Sequence, residues 1–375
     1  MTSARAAVRS APGKLFVAGE YAVVEPGTPA VLVAVDREIT VTATASDGAD
    51  VVISSDLVPR AVTWHWRDGR LHAPGTRGGE ADGDGARGAL THVVSAVETV
   101  GGLLAARGLP LSGLDLSISS RLHDNGRKYG LGSSGAVTVA TIDALTSLCG
   151  LDLSLDARYR LALISSAGID PKGSGGDLAA STWGGWIAYQ APDRAFVLDL
   201  TRRHGVEAAL RTPWPGLEVR RLPAPRGLTL AVGWTGNPAS TGSLVSGLHR
   251  RTWRGTASHR AFVETSTDFV RASITALEAG DDQSLLHQIR RARQELARLD
   301  DEVGLGIFTP ELTALCAAAE TVGGAAKPSG AGGGDCGIAL LDAEATHDLS
   351  HVRQRWAAAG VLTLPVRPAP EGIEE

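Results

Sequence analysis

The segment Gly130-Leu131-Gly132-Ser133-Ser134-Gly135 carries the spacing G-x-G-x-x-G, which occurs in dinucleotide sites and in the phosphate loops of protein kinases. Small residues let backbone N–H groups approach an anion, and the N-terminus of a following helix adds a favourable dipole. The serine hydroxyls and the upstream Lys128 offer further partners for phosphate oxygens or a metal ion. The segment therefore predicts an anion-binding loop that opens a helix, with Ser133 or Ser134 as the N-cap residue.

Three familiar nucleotide loops fit the surrounding residues poorly. A dinucleotide loop follows an apolar strand, whereas the residues before Gly130 are the polar "HDNGRKY", and the acid expected about 20 residues later would be Asp152, beyond a helix stop. A Walker A loop needs Lys and Ser/Thr after its last glycine, where this chain has Ala136 and Val137. The protein-kinase motifs H-R-D and D-F-G are absent. A nicotinamide-dependent enzyme and a plain tight turn before a helix remain the alternatives to a phosphate loop.

Lysine is scarce in this chain. Lys and Arg total 36, but only four of them are lysine, and each lies in a segment rich in glycine and serine. Lysine is a compact point charge, whereas arginine is a wide planar fork. A GC-rich coding bias accounts for arginine on the surface, and lysine is then expected where arginine does not serve. The pattern suggests that the four lysines share one site: Lys14, Lys128, Lys172 and Lys327.

Composition limits the class of protein. The 375 residues, 43% of them hydrophobic, fit two domains. A net charge of -5 without a concentrated basic face argues against a nucleic-acid partner, and no apolar run reaches the ~18 residues of a membrane span. The N-terminus has no apolar block of a signal peptide, and the three cysteines show no zinc spacing. We expect a reduced, cytoplasmic protein, either monomer or homodimer, without nucleic-acid or membrane partners.

The elements that must position these residues are a mixture of strands and helices. Residues 29–45 and 114–122 have the alternation and β-branched content of strands, and 137–148 repeat at helical spacing up to the stop at Gly150. The Gly-rich segment 67–88 predicts a mobile loop. Since strands and helices do not alternate regularly, the pattern favours an α+β fold. Further predictions are strands at 184–190, 195–200, 228–234 and 337–342, and helices at 89–107, 154–167, 244–280, 282–299, 310–322 and 346–359.

Three segments together resemble the signature motifs of the GHMP kinase superfamily. They are "PGKLFVAGEYAVVEPGTPAV", "KYGLGSSGAVTVA" and "KPSGAGGGDCGIAL", which occur in the family's order between residues 12 and 340. The resemblance implies a ribosomal-protein-S5-like N-terminal domain at 1–200, which holds the ATP phosphate loop. It implies a ferredoxin-like C-terminal domain at 201–375, which holds the third glycine-rich motif. ATP would lie in the cleft between them.

Within the superfamily, "DPKGSGGDLAAS", "GGWIAY" and "GWTGNPAST" are similar to bacterial kinases that act on phosphomevalonate. Mevalonate kinases usually carry histidine where this chain has Tyr21. The resemblance implies ATP-dependent phosphorylation of (R)-5-phosphomevalonate to (R)-5-diphosphomevalonate in the mevalonate pathway of isoprenoid biosynthesis. Mevalonate kinase or another small-molecule kinase of the superfamily is the alternative. A catalytically dead nucleotide-binding regulator on the same scaffold is the alternative from another class.

The resemblance also implies roles for single residues. Lys14 would neutralise charge on the transferring phosphoryl group, although it also fits an exposed lysine at a strand end. Asp177 matches the family's active-site aspartate, or is an ordinary helix cap. Several family members have a glutamate about ten residues earlier that helps to hold Mg²⁺, and the only acid there is Asp170, so water ligands complete the expected Mg²⁺ shell. The predicted site residues are Lys14 and Asp177 as catalytic residues; Lys128, Gly130, Leu131, Gly132, Ser133, Ser134 and Gly135 for ATP; Tyr21, Lys172, Ser174, Gly175, Ser329 and Gly330 for the acceptor; and Ser134 for Mg²⁺.

Overall fold

The structure, a computed structural model, describes residues 6–56, 58–72, 82–124, 126–237 and 253–371. Up to residue 222, segments rich in β-branched and aromatic residues form a larger sheet and one small hairpin, as their composition predicts. The strands of this half are β1 (Ala6–Ala18), β2 (Pro29–Ser46), β3 (Asp50–Ser55), β4 (Val62–Arg67), β5 (Arg70–His72), β6 (Gly113–Ser120), β7 (His123–Asp124), β8 (Arg127–Lys128), β9 (Trp186–Gln190) and β10 (Glu218–Leu222).

The 18-residue strand β2 organises the larger sheet. Strand β1 pairs antiparallel along one edge of β2, and the other edge is shared by β9 and then β6. The strand order is β10-β9-β2-β6-β3-β4-β5, with β1 attached to β2. Only the β3–β6 pair among the described strands is parallel. Strand β1 therefore has one edge free to meet a loop.

Helices cover the larger sheet in two layers. Helices α2 and α4 pack directly on β1 and β2, and α1 and α3 pack against α2. The sheet thus brings the N-termini of α2 and α4 towards the same strand, β1. The helices of this half are α1 (Asp82–Ala106), α2 (Ser133–Leu148), α3 (Leu155–Ile169), α4 (Gly176–Trp183) and α5 (Arg194–Arg211).

A second, antiparallel sheet follows residue 222. It contains β11 (Leu228–Trp234), β12 (Ala325–Pro328), β13 (Cys336–Asp342) and β14 (Leu362–Leu364) in the order β12-β13-β11-β14. The helices of this half are α6 (Ala257–Ala279), α7 (Asp282–Val303), α8 (Pro310–Glu320) and α9 (Thr346–Ala358).

The two halves share one apolar core. Helix α6 packs on β1 and β2, and α7 packs on β12, so buried side chains such as Val33, Phe269 and Ile338 belong to one cluster. The mixture of helices and antiparallel sheets confirms the predicted α+β class. The three cysteines are free thiols. Within the described ranges, no helix combines the length and the apolarity needed to cross a membrane.

The predicted strand at 195–200 is wrong, because these residues lie in α5. Asp193 is the N-cap of this helix, and its side chain accepts hydrogen bonds from the backbone N–H groups of Ala195 (2.9 Å) and Phe196 (3.2 Å). The buried residues Arg194 and Val197 are three apart, as on one helical face. Because "AFVLDL" is short and apolar, its periodicity alone does not separate strand from helix.

Three other predictions agree with the structure only in part. The predicted loop at 67–88 contains β5 and the beginning of α1, while residues 73–81 lie outside the described residues. The predicted helix at 244–280 is observed from Ala257, and residues 244–252 also lie outside. The domain boundary at residue 200 falls inside α5, and β10 pairs with β9 of the larger sheet. The sheets divide between residues 222 and 228, and the boundary between domains stays a prediction.

Candidate active site

The glycine-rich loop leads into α2, as predicted, but the predicted N-cap, Ser133 or Ser134, is wrong by one or two residues. Gly132 is the N-cap, with φ 75° and ψ 39°, and Ser133 and Ser134 lie in the first turn of the helix. This left-handed conformation favours glycine, which explains why a serine does not cap the helix. Both serines are partly exposed at the helix N-terminus, where the first backbone N–H groups of α2 have no partner within the helix.

Lys14 lies on β1 directly beside this helix terminus. Its backbone N–H donates to the Leu131 carbonyl at 2.8 Å, which fixes the loop to the free edge of the strand. A Cβ on Gly132 would lie 3.0 Å from the Lys14 Cε, and a Cβ on Gly330 would lie 3.9 Å from its Nζ. The Lys14 ammonium thus stands between the second and third glycine-rich loops, and only 8% of the residue is exposed.

Asp177 lies in the first turn of α4 and contacts the first turn of α2. Gly175, with φ 78°, is the N-cap of α4, so Asp177 is not the cap residue. A Cβ on Gly135 would lie 2.7 Å from the Asp177 Oδ2, so glycine is required for this approach of the two helices. Asp177 is partly exposed. The structure thereby brings Lys14, Asp177 and the 130–135 loop together.

Tyr21 and Ser329 use their hydroxyls within the protein. Tyr21 donates to the Ala331 carbonyl at 2.5 Å, and burial raises the pKa of Tyr21 well above its ordinary value. Ser329 accepts from the Phe16 N–H at 2.8 Å and donates to the Phe16 carbonyl at 3.0 Å. Both side chains connect β1 and the turn after it to the third glycine-rich loop. Tyr21 is buried, and contact of either residue with an acceptor stays a prediction.

The segment before α4 forms a loop that Asp170 organises. The Lys172 N–H donates to the Asp170 Oδ1 at 2.9 Å, so this carboxylate shapes the loop in the described structure. The Lys172 side chain is exposed. Ser174 accepts from the Gly176 N–H at 3.2 Å and, through its carbonyl, from the Tyr189 hydroxyl at 2.6 Å. The loop ends at Gly175, the N-cap of the helix that carries Asp177, and contact of this loop with an acceptor stays a prediction.

Lys128 and Gly130 lie at the beginning of the phosphate loop. Lys128 is exposed on β8. Gly130 packs so closely on Asp335 that an added Cβ would lie 2.5 Å from the Asp335 Cγ. Asp335, itself at φ 46°, terminates the third glycine-rich loop. The two glycine-rich loops are therefore in direct contact at Gly130.

Sequence reasoning missed His92, which lies on α1. Its Nδ1 is buried and has no hydrogen-bond partner among the residues that the structure describes. Burial lowers the pKa of His92, Asp177 and Asp170 oppose this shift, and Lys128 adds to it. The imidazole therefore lies close enough to the candidate site to interact with its charges. Because its pKa is lowered, it is neutral at pH 7. A histidine in an apolar helical pattern gave no sign of this proximity.

In the structure, Lys327 and Glu20 are partners in an ion pair that the sequence did not indicate. Lys327 is fully buried and forms an ion pair with Glu20, which lies in the turn after β1. The scarcity of lysine pointed to Lys327, but nothing in the sequence pointed to the pair.

The described residues offer a small set of donors for Mg²⁺. No cluster of three or more His, Cys, Asp and Glu side chains with metal-binding proximity occurs among them. Ser134 and Asp177 lie in the adjoining first turns of α2 and α4. Mg²⁺ is commonly held by one or two carboxylates together with waters and substrate phosphates, so a single carboxylate and a hydroxyl fit its requirements.

The arrangement is suited to a transfer between two anions. A buried cation, a helix N-terminus and two glycine-rich loops meet at one place, and each favours phosphate. Asp177 adds a carboxylate that has no hydrogen bond or ion pair among the described residues, which leaves it available to a metal, a proton or the Lys14 ammonium.

Comparison with known proteins agrees with this geometry. The profile described as GHMP kinases N terminal domain matches residues 91–185, and that described as GHMP kinases C terminal matches residues 273–359. A phosphomevalonate kinase from Streptomyces sp. (strain CL190) is 72% identical over 99% of this chain and 100% of its own length. A mevalonate kinase from Pyrococcus horikoshii is 28% identical over 97% of this chain and 96% of its own length.

Solved structures give the same result. The phosphomevalonate kinase of Streptococcus pneumoniae, in complex with phosphomevalonate and AMPPNP, superposes with a TM-score of 0.82 at 27% identity. The alignment covers 96% of this chain and 99% of that one. This likeness confirms the two-domain fold that the three motifs imply. The chain belongs to the GHMP kinase family.

Proposed function

We propose that this protein transfers the γ-phosphoryl group of ATP to (R)-5-phosphomevalonate and releases (R)-5-diphosphomevalonate and ADP. The observation that carries the proposal is the 72% identity to a phosphomevalonate kinase over nearly the whole chain. The convergence of Lys14, Asp177 and the 130–135 loop supports it, because phosphoryl transfer depends mainly on positioning and on charge stabilisation.

The backbone of residues 130–135 and the N-terminus of α2 hold the triphosphate of ATP. Lys128 at the rim adds a cation. Lys14, between this loop and Gly330, stabilises the negative charge on the transferring phosphoryl group. Its position on β1 keeps the ammonium in place before the substrates bind, so little reorganisation is needed during the reaction.

The loop from Lys172 to Gly175 binds the phosphate of the acceptor, with Tyr21, Ser329 and Gly330 on the facing side of the cleft. The acceptor phosphate has a second pKa of about 6, so it is mostly a dianion at pH 7. Asp177 therefore has little proton to remove, and its role would be to orient the waters of the metal. Ser134 and Asp177 would hold Mg²⁺, which would supply positive charge next to the phosphates.

The test compares acceptors with the purified protein, ATP and Mg²⁺. We expect kcat/KM for phosphomevalonate to exceed that for mevalonate by at least ~10²-fold, since a site built for a phosphate leaves charged groups unpaired with the smaller acceptor. ³¹P NMR should show a diphosphate product. The reverse preference would identify a mevalonate kinase. Binding of AMPPNP without turnover of either acceptor would identify a catalytically dead regulator.

We also propose that the enzyme acts in the cytoplasm as a monomer or homodimer. Sedimentation of the purified protein would distinguish the two assemblies. Both statements come from the sequence and from the small-molecule substrates of the reaction.

A further inference from the structure

Three contacts join the first and third glycine-rich segments across about 310 residues of sequence. Ser329 exchanges two hydrogen bonds with the Phe16 backbone, and the Tyr21 hydroxyl donates to the Ala331 carbonyl. Between them, Lys327 forms its ion pair with Glu20. Lys14 lies two residues before Phe16 on the same strand, and a Cβ on Gly330 would stand 3.9 Å from its Nζ. The Lys14 ammonium and the ion pair therefore both adjoin the third glycine-rich segment.

The pair is deeply buried. The side chains of Lys327 and Glu20 are 0% and 3% exposed, and Lys327 also donates to the Pro328 carbonyl at 2.8 Å. A buried ion pair contributes little to stability, because the desolvation of both charges offsets their attraction, and well-packed apolar residues often replace one without loss. Burial lowers the pKa of Lys327 while Glu20 opposes the shift. A contribution to stability therefore does not explain why Lys327 and Glu20 are both buried here.

The charge of Lys14 offers a better explanation for the buried pair. Lys14 has no carboxylate within 4 Å among the residues that the structure describes, although it is buried. It is close enough to Lys327 for its charge to contribute to the lowered pKa of Lys327. Glu20 follows Lys14 by six residues, and its carboxylate is held by Lys327. Without that partner, Glu20 would be an uncompensated buried anion six residues along the chain from the buried cation Lys14.

We infer that Lys327 is a positioning residue that holds the Glu20 carboxylate away from Lys14, so that the charge of Lys14 remains available to the transferring phosphoryl group. The serine and tyrosine contacts to Phe16 and Ala331 maintain the loop geometry, and the ion pair controls which anion Lys14 meets. The inference rests on the proposed function for its kinetic test and has a second test that needs no turnover.

The kinetic test compares Lys327→Met with the double variant Glu20→Gln/Lys327→Met. In the single variant the freed carboxylate neutralises Lys14, so we expect kcat to fall ~10²-fold with a smaller change in KM for ATP. In the double variant no free anion remains, and we expect kcat to return to within about tenfold of the wild type. Lys327→Gln, which removes the charge but keeps a hydrogen-bond donor for Glu20, replaces the single variant if Lys327→Met does not fold. We then expect a smaller fall in kcat, which the added Glu20→Gln substitution should again reverse.

The second test uses the scarcity of lysine. Protein labelled with [6-¹³C]lysine has four lysine signals, because the sequence has four lysines, and the signal lost in Lys14→Met identifies Lys14. An opposite charge nearby raises the pKa of a lysine. We expect the pKa of Lys14 to be higher by about 1 unit or more in Lys327→Met than in the double variant, which differs only in the charge of residue 20.

Arg158→Met is the matched control. It breaks another largely buried pair, Arg158–Asp143 at 3.8 Å, which joins α3 to α2 at a distance in sequence from the glycine-rich loops. It should lower the melting temperature but leave kcat within about threefold and the pKa of Lys14 unchanged. Equal pKa values of Lys14 in the single and double variants, or equal loss of kcat in both, would overturn the inference. If the wild type phosphorylates no acceptor, the proposed function fails, while the lysine signals still decide the role of the pair.

Discussion

Lys14 and Asp177 both lie against the first turn of α2, one beside Gly132 and the other beside Gly135. The proposed reaction must bring a phosphate dianion up to the triphosphate of ATP. Two like unit charges at ~4 Å repel by about 4 kcal/mol at an effective dielectric constant of 20, and several such pairs are involved. Cations must offset this repulsion, whereas a base has almost no proton to remove. The two residues should therefore differ in their effect on the rate.

We predict that Lys14→Met lowers kcat more than Asp177→Asn does. Loss of the lysine removes charge stabilisation and should cost ~10³-fold, whereas loss of the carboxylate should cost roughly 10²-fold. The acidic limb of the pH–rate profile should follow the ionisation of the acceptor phosphate, with a pKa of about 6, and should persist in Asp177→Asn. Steady-state kinetics of both variants between pH 5 and 9 measure this. An Asp177→Asn variant that is the less active of the two and lacks the acidic limb would make Asp177 a general base.

Asp143 on α2 gives a prediction for stability. Burial raises the pKa of Asp143 from 3.8 to about 6, and Arg158 and Arg9 oppose the shift without cancelling it. A carboxyl whose pKa is raised by folding stabilises the fold below its unfolded pKa, and this contribution is lost as the pH rises through 6. The ionised carboxylate therefore costs the folded state up to about 3 kcal/mol above that pH.

Asp143→Asn should accordingly raise the free energy of unfolding at pH 8 and have little effect at pH 4. Urea unfolding at both pH values measures the difference. Asp152→Asn, at an exposed carboxylate just beyond the same helix, is the control and should show no such pH dependence. A destabilised Asp143→Asn variant at pH 8 would mean that the ion pair with Arg158 outweighs the cost of burial.

At the scale of elements, the close approach of α2 and α4 decides the position of Asp177. A glycine inside a helix usually costs about 1 kcal/mol relative to alanine, so Gly→Ala substitutions in helices tend to stabilise a protein. Gly135 is the exception, because its Cβ would displace the Asp177 carboxylate.

We predict that Gly135→Ala lowers kcat at least ~10-fold while the protein remains folded, since small displacements of catalytic groups are costly. Gly168→Ala in α3, where a Cβ would meet nothing within 4 Å, should keep full activity and equal or higher thermal stability. Kinetics and thermal melting of both variants give the comparison. Full activity in Gly135→Ala would show that the spacing of these two helices does not set the position of Asp177.

At the scale of the whole molecule, the C-terminal segment returns to the larger sheet. The Arg367 N–H donates to the Asp36 Oδ1 at 2.9 Å, and the Ala369 N–H donates to the Ala34 carbonyl at 2.8 Å. Val366 is buried in the shared core. The last residues of the second half thus fasten it to β2, the strand that also supports β1 and Lys14.

Deletion of the residues after Leu364 should therefore destabilise the whole protein and not only its second sheet. Each lost hydrogen bond is worth about 1 kcal/mol, to which the exposure of Val366 and its apolar neighbours adds. Calorimetry should show one transition at a melting temperature several degrees lower. Arg367→Ala, which keeps the backbone bonds, should lie close to the wild type. A deletion variant that melts like the wild type would show that this return segment does not contribute to stability.

Local features of the site were predictable from the sequence because they depend on local chemistry. Three glycines and two serines in six residues predict an anion-binding turn before a helix, and the structure has the first turn of α2 there. The helical spacing of 137–148 and the alternation of 29–45 predicted α2 and β2 because burial on one face repeats with the period of the element. The segment 195–200 is short and apolar, so its pattern fits a strand as well as a helix. The cap residue Asp193 and tertiary packing make it a helix, and the predicted strand was wrong.

The sequence by itself thus determined the class of fold, the three glycine-rich segments and the family, since spacing and residue type are properties of neighbouring residues. Only the tertiary structure decided which distant groups meet. It pairs Lys327 with Glu20 and hydrogen-bonds Ser329 to the Phe16 backbone. It also brings His92 close enough to Asp177 for that carboxylate to affect the pKa of the imidazole. These contacts depend on how β1, α1 and the β12–β13 loop pack together. The spacing of residues along the chain does not predict that packing.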